Sequence, residues 1–154
     1  MRKRTVRKVR PVSAMISPEQ HAEVVMMVHL YLDSFLNGTA SIDQMQEIAS
    51  FYNLGSVLAN YHRDLAKQEQ MHRALKIVAR CVRDGADGVV AIPTDEERTD
   101  IRTSCTMLDR WIGIQSKYTL FKVCNYIDRA LESRSGAVID PAFSEINTLK
   151  DSHG

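Results

Sequence analysis

His29 and Asp33 lie four residues apart, a spacing that puts both on one face of a helix and that metal sites use. Two ligands do not hold a metal, and a third would have to come from His21, His62 or His72. The pair therefore reads as a polar helix edge, with no metal expected. Cys81, Cys105 and Cys124 become nucleophiles only beside a base. Each occupies an apolar helical position, so all three are expected to be buried free thiols of a reducing cytoplasm. Asp95, Glu96, Glu97 and Asp100 gather four carboxylates in six residues, a density that divalent-metal or general-acid chemistry would use. They follow Thr94 at a helix start, where the positive helix end accounts for them. Gly85-Ala86-Asp87-Gly88 has two glycines, as a phosphate loop would, but no Gly-Lys-Ser/Thr follows. No nucleophile, base and orienter converge, so neither an enzyme nor a cofactor is expected.

The strongest chemical signal is the opening run MRKRTVRKVRP. Arg2, Lys3, Arg4, Arg7, Lys8 and Arg10 are its cations, residues 1–17 contain no acid, and Pro11 separates the run from the first helix. No aromatic residue interleaves, so the arm suits phosphate neutralisation and not base stacking. The rest of the chain holds 14 basic against 19 acidic residues, a net of −5. A cationic arm is thus tethered to a mildly anionic body, free either to bind nucleic acid or to lie on that body.

These residues must be positioned by helices. With 154 residues, 44% of them apolar, the chain suffices for one core without disulfide or metal staples. The reading is an all-α, four- to five-helix bundle-like domain over 18–134, preceded by the arm (1–17) and followed by a loose tail (135–154). Ser17–Gln20, Ser41–Gln44 and Thr94–Glu97 are capping boxes, and Gly38 suits a left-handed stop. In the first helix Val24, Val25, Val28, Tyr31, Leu32, Phe35 and Leu36 form the apolar sides. A second stripe runs from Ile42 through Tyr61 and Leu65, with a break expected between Tyr61 and Lys67. Met71, Leu75, Val78, Ala79 and Val82 form a third. Val89–Ile92 is a short crossing ended by Pro93. Ile101, Cys105, Leu108, Trp111 and Ile112 line a fourth helix, and Leu120, Val123, Cys124, Ile127 and Leu131 continue beyond a soft spot at Gly113–Ser116. The most apolar stretch, Val24–Leu32, contains His29 and falls far short of the roughly 20 residues that span a bilayer. With no signal-peptide pattern either, a cytoplasmic protein with no membrane partner is expected.

Met26, Met27 and Leu30 widen the apolar surface of the first helix beyond what one core needs, which marks them for a partner or a homodimer seam. Trp111, the single tryptophan, suits either the core or a partner-facing anchor. The basic start ending in Val9-Arg10-Pro11, the helical body, the Gly-containing crossing and the capped helix at Thr94–Glu97 together resemble small accessory proteins of proteobacterial phages and plasmids. Where those proteins carry a Leu-His-Asp element, this chain has Leu108-Asp109-Arg110. The resemblance implies a non-enzymatic factor that binds a host protein or nucleoprotein complex, such as a defence or transcription complex, and modulates or inhibits it. The alternative is a nucleic-acid-binding regulator with a dimeric helical body.

Overall fold

The computed structural model describes residues 17–133, which form an all-α bundle of five helices. In order they are α1 (Pro18–Leu36), α2 (Ile42–Tyr61), α3 (Leu65–Arg83), α4 (Asp95–Gly113) and α5 (Lys117–Ser133). Their ends are written in local chemistry. At α2 the Ser41 hydroxyl accepts the Gln44 N–H at 3.2 Å while the Gln44 side chain accepts the Ser41 N–H at 3.0 Å. Thr94 and Glu97 repeat that reciprocal box at α4. Asp64, which the sequence reading passed over, caps α3 by accepting the Lys67 N–H at 3.1 Å. Each such cap contributes about 1 kcal/mol by satisfying orphan donors. The Gln20 side chain, half of the box expected at Ser17, lies outside what the structure describes.

Helix α1 stops as expected at Gly38, whose φ is +75°. The Gly38 N–H bonds to the Phe35 carbonyl and the Thr39 N–H to the Ser34 carbonyl, the paired closure of a Schellman motif. The same pair of bonds closes α2, from Arg63 to Asn60 and from Asp64 to Ala59, but there the left-handed residue is Arg63, with φ 56°. An arginine is strained where glycine is not. Arg63→Gly is therefore expected to stabilise the protein by about 0.5–1 kcal/mol, read as a higher urea midpoint at unchanged slope.

Helix α2 is the hub, packing against all four other helices. Met45, Ile48, Ala49 and Tyr52 on it are wholly buried, and α3 answers with Met71, Leu75 and Val78. Val25, Val28, Leu32, Phe35 and Leu36 of α1 and Ile101, Cys105, Leu108 and Ile112 of α4 complete this core. A smaller cluster of Val57, Leu58 and Val123, with Leu54, Trp111 and Ile127 against it, attaches α5. Arg80 ties α3 to α4 through two bonds to Glu97, Nε–Oε2 at 3.1 Å and Nη2–Oε1 at 2.5 Å. In the crossing, Val90 is buried while Val89 and Ile92 are exposed, and the Ala91 N–H bonds to the Cys81 carbonyl at 2.9 Å.

Two parts of the expected stripes are corrected. Tyr61 and Leu65 are exposed, because they flank the chain reversal at the end of α2, past the core. Cys124 is also exposed. Helix α5 packs chiefly against α2, so only a narrow stripe around Val123 and Ala130 is covered and the next residue round the helix faces outward. No described helix is long and apolar enough to cross a membrane.

Candidate functional site

The helical period sets His29 over Asp33, but His29 turns instead to α4. Its Nε2 lies 2.9 Å from Asp109 Oδ2, and His21, two turns earlier on α1, places Nε2 2.5 Å from Asp109 Oδ1. One carboxylate thus pins α1 to α4 through two imidazoles. Gly113 admits the His21 ring, since a Cβ there would stand 3.1 Å from it. On the far side of His29, Nδ1 is 3.8 Å from the Cys105 sulfur. With Nε2 protonated toward Asp109, Nδ1 is left to accept the thiol proton. A thiol, an imidazole and a carboxylate therefore stand in the order that nucleophilic catalysis uses, a convergence hidden from the sequence because 80 residues separate His29 from Asp109.

The chemistry of that trio favours structure over catalysis. Cys105 is 2% exposed within the core, and burial, reinforced by the Asp109 charge, pushes its thiol up to about 11. Cys81 is likewise pushed up to about 11, chiefly by burial. A thiol held so far above neutrality is a poor nucleophile. Burial and the Asp128 charge raise the Cys124 thiol as well, but it alone is exposed, so iodoacetamide at neutral pH is expected to modify the folded protein once, at Cys124, and all three cysteines after denaturation; mass spectrometry of the intact protein reads both counts.

The acidic cluster at the start of α4 does not converge. Burial by itself would raise the Glu97 carboxyl, but the Thr94 N–H and the Arg80 guanidinium outweigh it and hold the group below its ordinary value. Asp95, Glu96 and Asp100 are exposed. Among the described residues no group of three or more His, Cys, Asp or Glu side chains is arranged to hold a metal ion. His62 goes to Gln115 at 2.8 Å.

Met26, Met27 and Leu30 share one outer face of α1 and are 57%, 44% and 54% exposed. Trp111 stands elsewhere. It follows Asp109 by two residues, about 200° round α4, so it points away from the helix that Asp109 pins. Its ring is half-buried against both hydrophobic clusters, 5.7 Å from the His62 ring and 5.1 Å from the Lys67 ammonium. It also lines a shallow groove of about 720 Å³ to which Lys67, Arg102 and Arg110 contribute; Lys67 is paired with Asp64 at 2.7 Å, and no described carboxylate is among the lining residues. Trp111 therefore serves the core and presents an edge to solvent at once. The two expected partner-binding features are not brought together. The cations of the arm, Arg2, Lys3, Arg4, Arg7, Lys8 and Arg10, lie outside the described residues.

In comparisons with known proteins, no family model matches the chain, and neither a curated protein nor a solved structure gives a significant match.

Proposed function

We propose that this chain is a non-enzymatic, cytoplasmic accessory protein that binds a host protein or nucleoprotein complex and modulates it, in the manner of the phage and plasmid proteins whose layout it resembles. The observation that carries this reading is the apolar face of α1. Three large side chains, Met26, Met27 and Leu30, stay about half exposed side by side on an ordered helix whose opposite side is fully packed. Contiguous exposed apolar surface of that kind marks association, and methionine suits a surface that adapts to its partner. The groove at Trp111, with Arg102 and Arg110, adds a second contact suited to an acidic surface.

Leu30→Glu tests this reading. The variant is expected to keep wild-type helicity and thermal stability, because residue 30 faces out, and to lose the partners that the wild type retains from host lysate. Light scattering on the same pair separates a host partner from a second copy: a wild-type dimer that becomes a monomer in the variant assigns the face to self-association. Unchanged mass and unchanged partners in Leu30→Glu would refute the interface.

A further inference from the structure

We infer that the cleft between the last turns of α2 and the middle of α5 is a binding site for single-stranded nucleic acid. It encloses about 490 Å³, within the range of ligand pockets. Its floor is apolar, made by the buried Val57 and Val123. Above that floor stand two tyrosines, Tyr61 and Tyr126, which are 46% and 49% exposed. Two amides, Asn60 and Asn125, and two cations, Lys122 and Arg129, complete the wall.

Helical spacing explains the convergence. Val57, Asn60 and Tyr61 fall at i, i+3 and i+4 on α2, while Lys122, Asn125, Tyr126 and Arg129 fall at i, i+3, i+4 and i+7 on α5, so each set forms one stripe. The stripes face each other because α5 packs on α2.

Each residue type matches one part of a nucleotide. Half-exposed tyrosine rings offer faces on which bases stack, whatever the sequence. The Tyr61 ring is held at the mouth by an edge contact with His62, 5.1 Å between centroids at 90°, and His62 is itself fixed by Gln115. The platform is thus in place before a ligand arrives. The carbonyls of Leu58, Ala59 and Asn60 are taken by the backbone of residues 62–64, while the Asn60 and Asn125 amides make no hydrogen bond with a described residue and remain to meet base edges. Lys122 rests its ammonium over the Tyr118 ring at 5.1 Å, but among the described residues neither it nor Arg129 forms an ion pair and no carboxylate lines the cleft, so both charges can meet phosphate. Asp128, the acid next to Arg129, lies on the Cys124 side of α5 instead.

The site favours a strand over a duplex because stacking on tyrosine needs a base face that pairing keeps inside the helix. It favours a strand over a free nucleotide because the cleft itself presents two tyrosine rings and two cations, platforms and charges for more than one nucleotide. This role goes beyond partner binding through α1, and neither depends on the other.

The test uses the full chain and a short fluorescein-labelled oligothymidylate, followed by anisotropy over a range of salt. The wild type is expected to bind the strand more tightly than the matching duplex or thymidine monophosphate. Tyr61→Ala with Tyr126→Ala should weaken strand binding about 10-fold or more, while Tyr61→Phe with Tyr126→Phe retains it. Lys122→Gln with Arg129→Gln, both solvent-facing changes that spare the core, should flatten the log–log salt dependence by about 1.4, near 0.7 for each lost charge. Four results would overturn the assignment: no binding of the strand, equal binding of strand and duplex, equal binding of the monophosphate, or alanine and glutamine variants that bind like the wild type because the arm alone holds the strand.

Discussion

Gly55→Leu should destabilise the protein by about 3 kcal/mol or more, a large share of the about 5–15 kcal/mol that holds a native domain together. Gly55 sits in the middle of α2, where glycine ordinarily costs about 1 kcal/mol against alanine, so an exposed site would gain from the change. Here the helices on both sides have closed over the missing side chain. A Cβ at residue 55 would stand 2.6 Å from the Met71 sulfur and 2.8 and 2.9 Å from the two terminal carbons of Leu108. No heavy atoms tolerate that approach, so the ends of the Met71 and Leu108 side chains, both wholly buried, must repack to admit even a methyl group, and a leucine needs more room than they can give. Even Gly55→Ala should be destabilised, by about 1–3 kcal/mol, because overpacking outweighs the helix propensity it gains. Combining Gly55→Ala with Leu108→Ala gives the decisive comparison. If the clash is the cause, the double variant is more stable than the sum of the single changes implies, and urea unfolding of the four proteins measures that difference. Additive losses would show that residue 55 acts through something other than contact with Leu108.

Tyr52→Ala should cost about 3–5 kcal/mol, since the ring is wholly buried between α2 and α4. Tyr52→Phe separates the hydroxyl from the ring. The hydroxyl donates to the Ile101 carbonyl at 2.8 Å, and its loss should cost about 1 kcal/mol, leaving most of the effect in the ring. The same group carries a pH signature. Burial, and then the nearby Cys105, hold the Tyr52 hydroxyl well above its ordinary value of 10.0. A folded-state value above the unfolded one means that the contribution is complete below pH 10 and is lost as the pH rises further. The buried thiols of Cys81 and Cys105, raised from 9.0 to about 11, act in the same direction and begin earlier. Urea midpoints should therefore decline from about pH 9 upward, and Tyr52→Phe should flatten the part of that decline above pH 10. A stability that does not change across this range would contradict the burial of all three groups.

Local signals in the sequence were read well because local forces set them. The boxes at Ser41 and Thr94, the stop at Gly38 and the breaks near residues 62–64 and 114–116 each depend on residues within a few positions of one another. Asp64 and Gly55 carried legible signals that the reading passed over, a capping residue before a helix and an isolated glycine within one. Spacing along one helix also misled. It coupled His29 to Asp33, whereas rotation of α1 against α4 gave His29 and His21 to Asp109.

What the sequence by itself determined is the all-α class, the capped helix starts at Ser41 and Thr94, the stop at Gly38 and most of each apolar side, since a period of 3.6 residues and the needs of unsatisfied backbone groups act within each segment; whether the helices number four or five was left to the packing. It could not decide how completely each stripe is covered, because coverage depends on neighbours distant in the chain. Packing α2 against four helices buried Tyr52 and left glycine as the residue that fits at position 55. The sparse cover of α5 left Cys124 outside and opened the cleft beside Tyr61 and Tyr126. Only the tertiary structure brought those tyrosines, Lys122 and Arg129 to one wall, because two helices more than 50 residues apart in sequence meet there through buried surface that neither can complete alone.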